Sequence, residues 1–310
     1  LKIDGTATTS AAIAIANATQ TLEIGASGSL TIGTAESITN GTIQLDGGTL
    51  TDTSGVTLGT GSTLTGSGTI AAGTTLSGSG TVKASGGTLD IFGTINSGPT
   101  LQIDTTAGST LKIDGNATAA AAITLNNANQ KLEIGTSGSL TISAAQAATN
   151  GTIQLDGGTL TDASGLTLTS PAILTGRGLV AANIAASTGT ITASGGTLEV
   201  NGTIASLAQL TIGSGASDKI KLDAASAVTN VTFSGSTGTL EVNTAGTLTV
   251  TNALAVGANS VALDGAGSTL TDSNGVTLAG GAISGLVRWR RIPMSRASVR
   301  SASRSPAPAR

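Results

Sequence analysis

Six aspartates are the residues of this chain best placed by type and spacing to do chemistry: Asp46 and Asp52, Asp156 and Asp162, Asp264 and Asp272. Two carboxylates flanking a glycosidic bond are the minimum equipment of a glycosidase. The chain has no His and no Cys, so hydrolase triads and the usual zinc sites are unavailable in ordinary form. Each pair also has a structural reading. Asp46 would cap a corner before Gly47-Gly48, and Asp52 would open an Asx-type turn into Ser54-Gly55. The third pair has two residues more between its members than the first two, a slip that an exacting catalytic geometry would not tolerate. The turn reading is therefore preferred, and no residue is assigned a catalytic, cofactor-binding or metal-binding role.

Two further motifs have the same double character. Gly47-Gly48-Thr49-Leu50-Thr51-Asp52 starts like the Gly-Gly-x-Gly-x-Asp nonapeptide of calcium-binding β-rolls, but Leu50 replaces the third Gly and no nine-residue tandem follows. Asn-x-Thr triplets at Asn17, Asn40, Asn116, Asn150 and Asn201 are formal glycosylation acceptors. In a chain so rich in Gly and Thr they read as corner residues followed by strand starts.

What positions these residues is repetition. Residues 1–58 return without a gap at 111–168, with 42 of 58 positions identical. A third, worn copy starts near Ile220 and carries Thr239-Leu240-Glu241-Val242, Leu263-Asp264-Gly265 and Thr269-Leu270-Thr271-Asp272. The organisation is a first repeat over 1–110, a second over 111–219, a partial third over 220–286 and a tail over 287–310. Repetition of this kind marks stacked or tandem architectures.

Within a repeat, short segments of alternating polarity such as Leu22-Glu23-Ile24, Leu30-Thr31-Ile32 and Ile43-Gln44-Leu45 follow one another, separated by Gly-Ser, Gly-Gly, Asp-Gly and Asn-Gly steps. Period two is the mark of half-buried strands, and the Gly and Asn steps suit tight corners. Only Phe92, Phe233 and Trp289 are aromatic among 310 residues, so any core is thin and aliphatic. Tandem immunoglobulin-like sandwiches match the 110-residue period, but these strands are too short and close, with no Trp or Tyr in the repeats to pack between sheets. An all-β fold follows: a right-handed parallel β-helix of three short strands per coil, about 20 residues per coil, forming a rod about 65–70 Å long.

Charge divides the chain. Residues 1–287 hold all 17 acidic and seven basic residues, a net of −10, whereas 288–310 hold seven Arg and no acid, a net of +7. A basic tail can serve nucleic acid or acidic membranes. Its abrupt onset after Gly285, in mid-repeat, reads better as a disordered, out-of-frame extension, so no nucleic-acid partner is assigned. No apolar run approaches the ~18–20 residues of a membrane-spanning helix. The chain opens on Leu1 without a signal peptide, which points to a piece of a longer protein.

The cadence of Ser67-Gly68-Thr69-Ile70, Leu76-Ser77-Gly78-Ser79-Gly80-Thr81-Val82 and Ala84-Ser85-Gly86-Gly87-Thr88-Leu89 resembles the passenger regions of bacterial autotransporters and large repetitive surface proteins of the filamentous-haemagglutinin kind. The resemblance covers nearly all of 1–286. It implies an extracellular or cell-surface β-helix that mediates attachment, aggregation or biofilm contact. The implied partners are a host or neighbouring cell, matrix or glycan, with self-association through solenoid ends and the outer membrane met only through a translocator absent from this sequence. A β-helical polysaccharide-acting enzyme using the Asp pairs is the alternative. An ice-binding solenoid, which needs a flat Thr array, is a third.

Overall fold

The structure, a computed structural model, describes residues 1–285; the basic tail expected to be disordered lies outside the described residues. Every regular element described is a β-strand, and every pairing between them is parallel. The coils stack into a β-solenoid of about 14 turns, a rod of about 65 Å at one inter-strand spacing per turn. Each coil visits three ladders, here named faces A, B and C. Face A opens with Lys2–Ile3 and Thr21–Ile24, face B with Thr6–Thr9 and Ser29–Ile32, and face C with the Glu36 to Ile38 segment, which pairs with Val56 to Leu58.

The core is a column of aliphatic stacks. On face A, Leu22, Ile43, Leu64, Val82 and Leu101 succeed one another in register. On face B, Leu111, Leu132, Ile153, Leu174 and Ile191 do the same. All ten side chains are buried, and like packs on like at every step. Among the described residues no aromatic side chain belongs to the fully buried set; Phe233 only packs against it.

Several strands run longer than the short segments read from the sequence. Glu36–Asp52 and Thr152–Leu168 each span 17 residues, because the ladder carries on around the corners with local register shifts, as between Asp46 and Thr49. Gly66 is one such corner, at φ +108°, where a Cβ would collide with the Leu45 carbonyl of the coil before; only glycine lets the two backbones approach so closely.

The 110-residue repeat does not coincide with a whole number of coils. From Lys2 the outward row of face A runs through Glu23, Gln44, Thr65 and Lys83 to Gln102, five steps and 100 residues. Ten residues later Lys112, the counterpart of Lys2, stands on face B in register with Asp90 and Glu133. Lys221, the third counterpart, stands on face C between Glu199 and Glu241. Each repeat is therefore turned by one face relative to the last. The ladders cross the repeat boundaries unbroken, as the pairings of Leu111 with Leu89 and of Ile220 with Leu198 show.

Candidate functional site

The six aspartates fall into two environments. Asp52 and Asp162 are fully buried. Asp52 Oδ1 accepts the Ser54 and Gly55 amides at 2.9 and 3.0 Å, and Asp162 Oδ1 accepts those of Ser164 and Gly165 at the same distances. Asp272 repeats the arrangement with Asn274 and Gly275. This is the Asx-type turn expected from the sequence. Asp46 and Asp264, by contrast, are exposed and Asp156 half-buried. Asp46 does not cap the corner before Gly47-Gly48: its Oδ1 accepts the Gln44 amide Nε2 at 2.8 Å, and the backbone turns by itself at Gly47, φ +99°. Within each of the first two pairs, then, one carboxylate is sealed from solvent and held by turn amides while the other faces outward.

The calcium-like stretch is also a corner. Leu50, where a β-roll would need Gly, points into the core and is fully buried, and among the described residues no group of three or more acidic side chains could hold a metal. Of the Asn-x-Thr positions, Asn17 accepts the Thr19 amide, and Asn40 and Asn150 accept the amides of Gly41 and Gly151. They are corner residues, as read. Asn116 opens a strand and Asn201 follows one.

Sequence reasoning missed a buried polar pair behind each of the first two Asx turns. Glu36 is 2% exposed, and both its carboxylate oxygens face the Ile13 amide at 3.0 Å. Burial first, and the nearby Asp52 charge in addition, push its carboxyl above the ordinary range, against the opposing Ile13 hydrogen bond. In the second repeat Gln146 takes this place. Its Oε1 accepts the Ile123 amide at 2.8 Å, its Nε2 donates to the Ile123 carbonyl at 2.7 Å, and its own amide donates to Asp162 Oδ2 at 2.8 Å.

The outward rows carry ion pairs that recur from face to face. Lys2 lies 3.1 Å from Glu23 and 3.5 Å from Asp4; Lys221 lies 3.1 Å from Glu199 and 3.6 Å from Asp223. Lys112 pairs with Asp114 and, at 3.3 Å, with Asp90, and the Asp114 hydrogen bond above all raises the Lys112 ammonium above its usual value. Around Lys112 a shallow groove of about 530 Å³ opens on face B, lined by Phe92, Asp114, Glu133, Thr136, Asp156 and Arg177 among others. Its sequence signal was available. Arg177 is the one Arg before the tail, standing where the first repeat has Ser67, and Phe92 is one of two aromatic residues before the tail.

Ice binding would need a flat Thr array. One outward row of face A is threonine over five successive coils, Thr21, Thr42, Thr63, Thr81 and Thr100, but the row beside it reads Glu23, Gln44, Thr65, Lys83 and Gln102, so the two rows do not make a flat Thr array there. The row through Thr175, Thr192, Thr211 and Thr232 continues on its other side into Gln154, Glu133 and Lys112. Comparisons with protein-family models, curated proteins and solved structures find no match to this chain. Among the described residues no helix is long and apolar enough to cross a membrane.

Proposed function

We propose that this chain is a non-enzymatic structural and adhesive rod, a segment of a large secreted or surface-displayed bacterial repeat protein that meets cells, matrix or glycan. The observation that carries this reading is the turning of the repeat around the rod. Lys2, Lys112 and Lys221, with their acidic partners, occupy faces A, B and C in turn. Equivalent surfaces are thus about 25 Å apart along the axis, five and a third coil spacings, and one face apart around it. Such a surface suits a flexible polymer that wraps the rod better than a flat partner, which would meet one repeat at a time. Weak equivalent contacts along one rigid body then add by avidity. The buried Asp52 and Asp162 support the non-enzymatic side of the reading, since they serve turns.

The test is attachment without turnover. Beads carrying the full chain should retain cells or matrix polysaccharide, and no shortening of any offered glycan should appear over days. Hydrolysis that disappears on changing Asp46 and Asp52 to Asn would replace this reading with the polysaccharide-acting enzyme.

A further inference from the structure

Resting on the adhesive reading, the geometry points to a binding site for an uncharged linear saccharide in the face B groove, with Phe92 as its stacking platform and Arg177 with Asp156 as its hydroxyl-recognising end. The corner residues Phe92, Asp114, Thr136, Asp156 and Arg177 come from five successive coils. Four coil spacings separate the ends, so the groove is about 19 Å long. Its volume of about 530 Å³ lies in the range of small-ligand sites.

Three observations choose the ligand. The Phe92 ring is 47% exposed in a chain almost without aromatics, and an open ring face is what the C–H face of a sugar packs on. Lys112 Nζ sits 5.8 Å from the ring centre, which holds the ring against the coil wall. At the other end Arg177 is exposed, and its one hydrogen bond among the described residues is from Nη1 to the Gly195 carbonyl at 3.3 Å. The remaining guanidinium donors form a fork free to take paired oxygens. Asp156, in register with Arg177, uses Oδ1 for the Gln154 amide and keeps Oδ2 for an incoming hydroxyl.

Charge balance decides against ionic ligands. Lys112 is neutralised by Asp90 and Asp114, and Lys131 by Glu133 at 2.6 Å. Asp156 and Arg177 then offset each other. A polyanion would face four carboxylates and a polycation three fixed cations, whereas a neutral polyol meets donors and acceptors in alternation. Each of the other repeats lacks one end of the groove. The first has Ser67 in place of Arg177, and the third has Asn201 in the position of Phe92.

The experiment uses the full chain against immobilised neutral oligosaccharides (glucan, mannan, xylan and galactan series), with polygalacturonate, heparin and oligolysine alongside. Retention of at least one neutral series, growing with chain length, is expected. Phe92→Ala and Arg177→Ser should each weaken it at least tenfold with melting unchanged, Arg177→Ser because the first repeat already folds with Ser at that place. Binding of the charged probes alone, binding that survives both substitutions, or no neutral series retained would each overturn the assignment. If cells or matrix are held equally by the wild type and the double variant, the groove fails while the adhesive reading stands. If neither protein holds them and the neutral series still bind, the adhesive reading fails by itself.

Discussion

At one buried position the first two repeats differ by a single functional group, Glu36 against Gln146, and the surroundings differ with it. Gln146 both donates and accepts, so the Ile123 amide and carbonyl are satisfied and its backbone amide completes Asp162. Glu36 can only accept when ionised. Its own backbone amide donates to the Gly55 carbonyl at 2.8 Å instead of to Asp52, so Asp52 Oδ2 is buried without a hydrogen-bond partner among the described residues, and two acidic groups lie near each other. The two repeats therefore share a core and a turn but not a polar network. In a solenoid a residue's chemistry is set by neighbours a whole coil away, about twenty residues off in sequence.

The shared part should break in the same way in both repeats, and with the largest effect. Leu50 on face B and Leu160 on face C are equivalent and fully buried. Aspartate at either place would put an unpaired charge in an aliphatic stack and cost about 4 kcal/mol or more. Urea unfolding followed by circular dichroism should show similar losses for Leu50→Asp and Leu160→Asp. A large loss in one alone would mean that the repeats do not contribute equally to one cooperative rod.

The core was legible because alternation at Leu22, Ile43 or Leu64 has one physical cause, burial of every second residue. The turning of the repeat was not, since it depends on coil lengths. Steps of 21 residues from Thr42 to Thr63 and 18 from Thr63 to Thr81 follow from how each corner closes, and Gly-rich corners of different length look alike in sequence. Glu36 sits in a run of small polar residues that gives no sign of burial, so the carboxylate that does face Asp52 was passed over in favour of Asp46, which does not. The groove was half legible: Arg177 against Ser67 is a visible departure from the repeat, but that Phe92 lies at the other end, 85 residues earlier, is a fact of stacking alone.

The polar difference should respond to exchange of the two residues. Glu36→Gln is expected to stabilise the rod by about 1–2 kcal/mol at neutral pH, by removing a buried charge and supplying a donor, and Gln146→Glu to destabilise it by a similar or larger amount. The pH dependence has a definite sign. A carboxyl whose folded pKa is raised contributes stability that is complete below its unfolded value of 4.5 and is lost as pH rises through the folded value. The advantage of Glu36→Gln should thus shrink on acidification toward 4.5. A constant difference across that window, measured by thermal melts, would show that Glu36 is not held protonated more readily in the fold. Asp104 should behave oppositely: its carboxyl is lowered to about 2, chiefly by Lys83, then Ser85 and the Thr105 amide, so its contribution is present above 3.8 and fades as pH falls through about 2.

One substitution should then have different consequences in the two turns. Asn at either place keeps an oxygen for the two turn amides. In the second repeat it loses the acceptor that Gln146 N–H uses, so Asp162→Asn should cost about 1 kcal/mol. In the first repeat the lost oxygen has no partner and the new amide faces Glu36, so Asp52→Asn should be neutral or stabilising. Equal losses would show that Asp52 Oδ2 finds a partner in solution.

The smallest difference lies on the outward rows. Glu23 and Glu133 are counterparts, each beside a lysine, at 3.1 Å from Lys2 and 2.6 Å from Lys131. The Glu133 side chain is 12% exposed and that of Glu23 30%, opposite lysines that are 32% and 54% exposed. Exposed pairs contribute about 0–1 kcal/mol and are screened by salt. Glu23→Gln should therefore shift stability by less than about 0.5 kcal/mol and the shift should vanish in 1 M salt, whereas Glu133→Gln should cost more and keep part of its effect there. The reason is geometric: Glu133 lies between Lys112 and Gln154 in the middle of a continuous row and inside the groove, so coils on both sides shield its pair from ions. Equal and fully salt-screened effects would mean that the groove walls do not exclude solvent, and would remove the partial desolvation on which strong saccharide hydrogen bonds at Asp156 and Arg177 depend.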